Sequence, residues 1–239
     1  MRKREKEIKD SLALRDKTRL TQSTPFSVKE AYKLTRTNIL FSLAQSGCKY
    51  IAITSADLSE GKTTTCTNMA ISFAQIGKRT LIIDADMRKP QIHNIFKVDN
   101  QVGLSNVLGG FVKAEETIKC LEEGLYTMTA GHIPPNPAEL LASQAMKDLL
   151  DELGQQYDYI FIDTPPVSVV TDAIIISGFV SGMIIVVKQA QSKQPELQDA
   201  LSKLAFAKAK VLGVILTRAQ IKSGKYGKYG KYKGYSAYE

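Results

Sequence analysis

The sequence has few of the residues that build metal clusters, disulfide frameworks or membrane spans. Its three cysteines, Cys48, Cys66 and Cys120, are an odd number, form no Cys-x-x-Cys pair and have no histidine at metal-ligand spacing. Reduced, packed thiols of a cytoplasmic protein are therefore expected. No apolar run approaches the roughly 18 residues that a membrane-spanning helix needs. The basic start is not followed by the apolar stretch of a signal peptide, so we expect a soluble protein.

The positive charge is concentrated at the two ends of the chain. The net charge is +8 over 239 residues, and residues 1–20 and 222–239 each contribute +4, which leaves the remainder neutral. A neutral body argues against a nucleic-acid groove, whereas basic ends could touch anionic lipid or an acidic partner. We predict a basic leader over residues 1–25, one large domain over 26–221 and a disordered tail over 222–239.

A phosphate-binding loop organises the rest of the sequence. Tyr50–Thr54 is a β-branched, apolar run that predicts a buried strand, and a helical pattern after the loop closes at Gly77. Between them lies Ala56-x-x-x-x-Gly61-Lys62-Thr63, with Ala at the position where the motif has its first Gly. In such loops the backbone N–H groups hold a phosphate, the lysine neutralises charge and the hydroxyl binds Mg²⁺. The predicted backbone contacts come from Ser59, Glu60, Gly61, Lys62, Thr63 and Thr64.

Strands and helices alternate along the rest of the domain. A helix is predicted from Ser27, capped by Ser27 with Glu30 in a capping box. Alternation of this kind indicates a doubly wound, mainly parallel sheet with phosphate chemistry at the carboxyl ends of its strands. The further predicted strands are Thr80–Asp84, Tyr126–Thr129, Tyr159–Asp163, Met183–Val187 and Leu212–Leu216, and the further helices lie near Ala138–Leu153, Thr171–Ser177 and Pro195–Ala207.

Carboxylates follow two of these strands. Asp84 and Asp86 stand at the end of the Thr80 strand, and Asp163 ends the Tyr159 strand. An aspartate at a strand tip beside a phosphate loop is the expected ligand of Mg²⁺, directly or through water. One such aspartate could simply cap the next helix. Three of them with a Gly-Lys-Thr loop indicate an ATPase-type site.

These three stretches resemble the Walker A, A′ and B motifs of the bacterial tyrosine kinases associated with capsule and exopolysaccharide synthesis, the CapB/CpsD type. The resemblance covers essentially the whole chain and implies a MinD/ParA-like P-loop fold that uses ATP and Mg²⁺. It implies that Lys62 and Thr63 bind phosphates and metal, that Asp86 and Asp163 organise the metal, and that Asp84 accepts the proton of a tyrosine hydroxyl. A base is useful because a phenol with a pKa of about 10 is mostly protonated at neutral pH.

The sequence departs from this family at three places. Leu58 and Ser59 stand where relatives usually have Pro-Gly, and a side chain at Ser59 makes a close approach to phosphate harder. Lys33 replaces the first Arg of the family's Glu-x-x-Arg-x-x-Arg oligomerisation motif, read here as Glu30, Lys33 and Arg36. Thr217 precedes Arg218 where relatives commonly carry Asn before a basic residue near the adenine. Composition alone favours a solvated helix face for the Glu30 stripe.

The end of the sequence repeats tyrosine every third residue between Gly and Lys. By itself such a tail could bind RNA or anionic lipid through charge and stacking. Beside a kinase-like site, flexible phenols are predicted phosphorylation sites. The five tyrosines are Tyr226, Tyr229, Tyr232, Tyr235 and Tyr238.

Two classes of function are compatible with the fold. The first is an autophosphorylating protein-tyrosine kinase that regulates polysaccharide synthesis and export. The second is a positioning ATPase of the ParA/MinD kind, which carries a signature lysine at the position of Asp57 and lacks a tyrosine tail. The sequence favours the kinase. The resemblance implies a ring-like homo-oligomer, a separate membrane adaptor, a tyrosine phosphatase, no nucleic acid and a peripheral location at the inner membrane face.

Overall fold

The computed structural model describes residues 19–43 and 47–219. The predicted tyrosine tail and most of the predicted leader lie outside these residues. The helices are α1 (Phe26–Ser42), α2 (Lys62–Ala74), α3 (Ile92–Phe96), α4 (Leu104–Leu108), α5 (Pro137–Ala142), α6 (Gln144–Leu153), α7 (Asp172–Ser177) and α8 (Gln194–Phe206). The strands are β1 (Lys49–Ser55), β2 (Thr80–Asp84), β3 (Ile118–Glu122), β4 (Leu125–Met128), β5 (Tyr159–Asp163), β6 (Gly182–Lys188) and β7 (Val211–Thr217).

The strands form one sheet in the order β3-β4-β2-β5-β1-β6-β7. Every neighbouring pair is parallel except β3 with β4, which is an antiparallel pair at one edge. The order runs in both directions from β1, as in doubly wound sheets, so the predicted fold class is confirmed. Strand β3 is absent from the prediction because its alternating Ile-Lys-Cys-Leu-Glu lacks the apolar run of a buried strand.

Both faces of the sheet are covered, which explains the continuous apolar strands. Successive residues point to opposite faces: Ile51 and Ile53 pack with helices α1 and α2, whereas Ala52 packs with α5 to α8. The same alternation divides Phe161 from Ile160 on β5. The sheet therefore lies between two layers of helices, and the loops that follow the strands lie at its carboxyl edge.

Two local predictions about helices are corrected. Helix α1 begins at Phe26 with Pro25 as its N-cap and has no side-chain capping bond, so the predicted capping box of Ser27 and Glu30 does not form. Pro25 has no backbone N–H to satisfy, and its carbonyl accepts the N–H groups of Val28 and Lys29. The helix predicted over Ala138–Leu153 is two helices, because extended backbone at Ser143 separates α5 from α6.

The packed body extends N-terminally beyond the predicted boundary at residue 26. Leu20 is buried, and its backbone N–H donates to Oδ1 of Asn68 on α2 at 2.8 Å. The guanidinium of Arg19 lies over the ring of Phe96. Among the described residues, no helix is long and apolar enough to cross a membrane.

Candidate functional site

Three adjacent strands bring the predicted motifs to one place. Strands β2, β5 and β1 are consecutive in the sheet and parallel, so their carboxyl ends meet at the same edge. The phosphate loop follows β1, Asp84 ends β2 and Asp163 ends β5. The loop after β5 is fastened to β1: Thr164 N–H donates to the Ile53 carbonyl and Val167 N–H to the Ser55 carbonyl.

The phosphate loop leads directly into the N-terminus of α2. Gly61 is the N-cap and has φ +97°, a conformation that favours glycine. Helix α2 therefore starts at Lys62, with its first backbone N–H groups facing the loop. Ser59 also adopts a left-handed conformation, with φ +61°. The loop thus has at Ser59 a backbone conformation that favours glycine, although serine occupies the position.

Hydrogen bonds from the segment after β6 and from the end of β7 hold the loop in shape. Glu60 is buried, and its carboxylate accepts the Asp57 N–H at 2.8 Å and the hydroxyl of Ser192, which follows β6. The Thr217 hydroxyl at the end of β7 donates to the Glu60 carbonyl at 2.7 Å. Arg218, predicted to lie near the nucleotide, comes next on the same edge and is exposed. The loop is therefore tied to the ends of β6 and β7.

Lys62 brings the acidic motifs together. Its ammonium Nζ lies 2.8 Å from Oδ2 of Asp86 and 3.6 Å from Oδ2 of Asp163. It also approaches the hydroxyl of Thr63 at 3.3 Å. Burial lowers the pKa of Lys62, but the charges of Asp163 and Asp86 outweigh this effect, so the pKa is raised and the ammonium stays charged.

Two of the carboxylates are fully buried and resist ionisation. Burial, reinforced by the charge of Asp163, raises the pKa of Asp84 to about 7, although N–H groups of Ile92 and Gln91 oppose the shift. Burial raises the pKa of Asp163 to about 6, and the positive charge of Lys62 opposes it. Ionising both carboxylates would therefore crowd negative charge into one buried region, and a bound cation would favour the ionised forms.

The carboxylate oxygens suit a divalent metal. Asp84 Oδ1 and both oxygens of Asp163 are buried and accept no hydrogen bond of normal geometry among the described residues, although Asp163 Oδ2 forms the longer 3.6 Å ion pair with Lys62. Buried polar atoms are normally satisfied, so unpartnered carboxylate oxygens indicate a ligand. Hard oxygen donors near a phosphate loop fit Mg²⁺, with Thr63, Asp86 and Asp163 as the residues that would hold it.

One ion pair beside this cluster is not predicted from the sequence. Arg88, two residues after Asp86, donates to both carboxylate oxygens of Asp172, the first residue of α7. Asp172 is buried although nothing local distinguishes it from an ordinary helix-starting aspartate. The distinct environment of Asp172 is apparent only in the folded structure, where the side chain contacts Arg88 across the edge of the sheet.

The predicted oligomer stripe lies on α1, which packs on α2. Lys33 and Glu30 form an exposed ion pair at 2.9 Å. Arg36 instead donates to the carbonyl oxygen and the hydroxyl of Ser72 on α2, at 2.5 and 3.0 Å. The stripe is therefore divided: two members face outward and the third contacts its own subunit. Apolar side chains are exposed on the same helix, with Leu34 at 63% and Phe41 at 80%.

The sheet order, the left-handed Gly61 before α2 and the lysine–aspartate cluster define a P-loop NTPase fold of the MinD/ParA-like class. An AAA-domain family model matches residues 48–203. The MinD septum-site protein of Pyrococcus horikoshii in complex with Mg-ADP shares the fold, with a TM-score of 0.61 at 24% identity over 72% of each chain.

More similar proteins narrow the class to one family. The chain is 42% identical to the tyrosine-protein kinase YwqD of Bacillus subtilis over 188 residues, which is 78% of this chain and 79% of that protein. It is 39% identical to the putative tyrosine-protein kinase CapB of Staphylococcus aureus over 202 residues, 84% and 89% of the two chains. The chimerical protein CapA2B2 has a TM-score of 0.78 at 39% identity, covering 83% of this chain and 87% of that one. The chain belongs to the bacterial tyrosine kinases, which confirms the kinase over the positioning ATPase.

Proposed function

We propose that the protein is a Mg²⁺- and ATP-dependent protein-tyrosine kinase that phosphorylates the tyrosines of its own C-terminal segment. The observation that carries this proposal is the convergence of Lys62, Asp84, Asp86 and Asp163 at the N-terminus of α2. Phosphoryl transfer needs alignment and charge neutralisation more than covalent help from the protein. A lysine whose side chain is 12% exposed, set among three carboxylates beside a phosphate loop, provides both.

The phosphate groups of ATP would lie against the loop. Backbone N–H groups of residues 59–64 and the positive end of α2 favour the β-phosphate, and Lys62 neutralises the β- and γ-phosphates. Mg²⁺, when bound by Thr63, Asp86 and Asp163, supplies charge neutralisation of the transferring group. Arg218, next to Thr217 on the same edge, would contact the nucleotide in this proposal.

Asp84 is the proposed base for the incoming tyrosine. Its Oδ2 is held by the backbone N–H groups of Gln91 and Ile92, both at 2.9 Å, which leaves Oδ1 to accept a proton. Burial raises the pKa of Asp84 above its ordinary value, and a general base works best when its pKa lies near the operating pH.

The wider function follows from the family. We propose that the phosphorylated residues are Tyr226, Tyr229, Tyr232, Tyr235 and Tyr238, and that transfer occurs between subunits of a ring-like oligomer. The exposed Glu30–Lys33 pair and the exposed Phe41 on α1 support a subunit contact there. We further propose a membrane adaptor that activates the kinase at the inner face of the cell membrane. A tyrosine phosphatase would reset it, and capsular or exopolysaccharide synthesis would be the regulated process.

Loss of phosphotyrosine in a folded Lys62→Met variant would test the activity. Lys147→Met, which removes an exposed lysine from α6, is the matched control and should keep full activity. The measurement is phosphotyrosine formed with ATP and Mg²⁺, together with the melting temperature of each variant. Labelling of Lys62→Met at the wild-type rate would overturn the assignment.

A further inference from the structure

Arg88 and Asp172 form a two-pronged ion pair outside the set of residues that would touch nucleotide or metal. Arg88 Nε lies 2.9 Å from Asp172 Oδ2, and Arg88 Nη2 lies 3.1 Å from Oδ1. The Asp172 side chain is fully buried and that of Arg88 is 41% exposed. Paired N–H donors on one carboxylate fix direction as well as distance, which a lysine cannot do.

Arg88 stands on the turn that orients the carboxylate of Asp86. Within this turn the Lys89 N–H donates to Asp86 Oδ1 at 3.0 Å and to the Asp86 carbonyl at 3.2 Å. The other oxygen of Asp86 faces Lys62 at 2.8 Å. Any rotation of the turn would therefore move the Asp86 carboxylate relative to Lys62.

Asp172 is carried by the segment that follows the other acidic strand. This segment leaves β5 at Asp163 and is fastened to β1 by Thr164 and Val167 before α7 begins. Its position is thus fixed relative to the phosphate loop. The Arg88–Asp172 pair joins the turn after β2 to this fixed segment.

We propose that Asp172 is a positioning residue for phosphoryl transfer, acting through Arg88 to hold the Asp86 turn against the phosphate loop. The proposal rests on the assignment of Asp86 as a metal-holding residue in the proposed kinase. Among the described contacts, Asp172 is paired with Arg88 and not with Lys62 or the other aspartates. Its effect on Asp86 would therefore be transmitted through Arg88 and the turn. The ion pair thereby fixes the orientation of the Asp86 carboxylate relative to Lys62 and to a bound cation.

A purely structural role makes a different prediction. An aspartate at the first position of a helix stabilises the helix through its N-terminal N–H groups and dipole. Loss of that effect would lower the melting temperature and leave the Mg²⁺ requirement unchanged. A positioning role changes the Mg²⁺ requirement even in a fully folded protein.

The test uses three single variants and one double variant of the full chain. Asp172→Asn keeps the shape and removes the charge, Arg88→Gln removes the guanidinium from a half-exposed site, and Arg88→Lys keeps only the charge. The double variant combines Asp172→Asn with Arg88→Gln. Lys147→Gln on α6 and Asp199→Asn on α8, both at exposed positions away from the site, are the matched controls.

Two readouts are compared. The first is the Mg²⁺ concentration at half-maximal phosphotyrosine formation under saturating ATP. The second is the rise in melting temperature produced by Mg·ADP over that produced by ADP with a chelator. For Asp172→Asn and Arg88→Gln we expect the half-maximal Mg²⁺ concentration to rise on the order of tenfold, and the extra melting-temperature rise to shrink. Arg88→Lys should fall between these variants and wild type.

The double variant is decisive because both substitutions remove the same contact. Its effect should match that of either single variant, whereas independent effects would multiply. Wild-type Mg²⁺ dependence in folded Asp172→Asn and Arg88→Gln proteins would overturn the proposal, as would multiplied effects. If the wild type formed no phosphotyrosine, the proposed function would fail, and the melting readout would still decide the positioning role.

Discussion

Asp84 and Asp163 are register partners at the carboxyl ends of the adjacent parallel strands β2 and β5. The Ala85 N–H donates to the Asp163 carbonyl at 2.9 Å and holds the two strand ends together. Two fully buried carboxylates thus face one small region, and the charge of Asp163, added to burial, makes Asp84 harder to ionise. This pairing has consequences that can be measured without any substrate.

Asp84→Asn should stabilise the nucleotide-free protein at pH 8. The pKa of Asp84 is about 7 in the folded protein, above its ordinary value near 3.8, so the folded state binds more protons than the unfolded chain between about pH 4 and pH 7. Stability from this group is therefore lost as the pH rises through that window. Asparagine carries no charge, and we expect a gain of about 1–3 kcal/mol at pH 8 and little change near pH 4.

Urea unfolding of metal-free protein at several pH values measures this effect. The exposed Asp199→Asn substitution on α8 is the control and should leave the pH dependence as it is in wild type. A loss of stability at pH 8 in Asp84→Asn would contradict the prediction.

Ser59→Gly should stabilise the protein and improve nucleotide binding. Ser59 has φ +61°, where a side chain is strained and glycine is not, and the expected gain is about 0.5–1 kcal/mol. Removing the side chain also lets phosphate approach the loop more closely, so the KM for ATP should fall. Lys208→Gly is the control. Lys208 has a similar left-handed backbone conformation, with φ +56°, but it lies between α8 and β7 at the amino edge of the sheet, away from the phosphate loop. The substitution should give a similar stability gain with an unchanged KM.

Arg36→Ala should lower monomer stability, whereas Glu30→Ala with Lys33→Ala should act on assembly alone. Arg36 bonds twice to Ser72 of its own chain, so its loss leaves buried acceptors without a partner at a cost of about 1–3 kcal/mol. The exposed Glu30–Lys33 pair contributes little to the stability of the subunit. Light scattering and thermal melting separate the two effects. An unchanged oligomeric mass in Glu30→Ala/Lys33→Ala would contradict a contact through these residues.

Phosphorylation of the C-terminal segment should occur between subunits and dissociate the oligomer. Residues 222–239 carry +4, and five phosphates of about −1.5 to −2 each would turn this charge to roughly −4 to −6. Several such segments on one ring would then repel each other. A Lys62→Met chain with all five tyrosines is mixed with an active chain whose five tyrosines are Phe. Phosphate should appear on the inactive chain, and the mass of the phosphorylated protein should fall at physiological salt.

Two outcomes would contradict this prediction. Labelling only when the active site and the tyrosines share one polypeptide would exclude transfer between subunits. A fully phosphorylated protein that keeps its oligomeric mass would exclude the charge switch.

The strands and the phosphate loop could be predicted from the sequence because their causes are local. Thr80–Asp84 and Tyr159–Asp163 are continuous apolar runs that end in aspartate, and the structure has both strands with these bounds. Such apolar runs are typical of strands covered on both faces, and the carboxyl ends of parallel strands share an edge of the sheet. The convergence of Lys62 with the aspartates followed from the order of motifs alone.

Contacts between distant segments were decided only by the tertiary structure. Glu60 meets Ser192 across 132 positions, and Arg88 meets Asp172 across 84, so no spacing pattern could have joined either pair. The sequence predicts Arg36 as a surface residue of a polar stripe. The packing of α1 on α2 instead brings its guanidinium within hydrogen-bond distance of Ser72. Burial likewise raises the pKa of Asp84 by removing water from around it. Local sequence determines which residues form the elements, but desolvation and cross-sheet contacts exist only once those elements have packed.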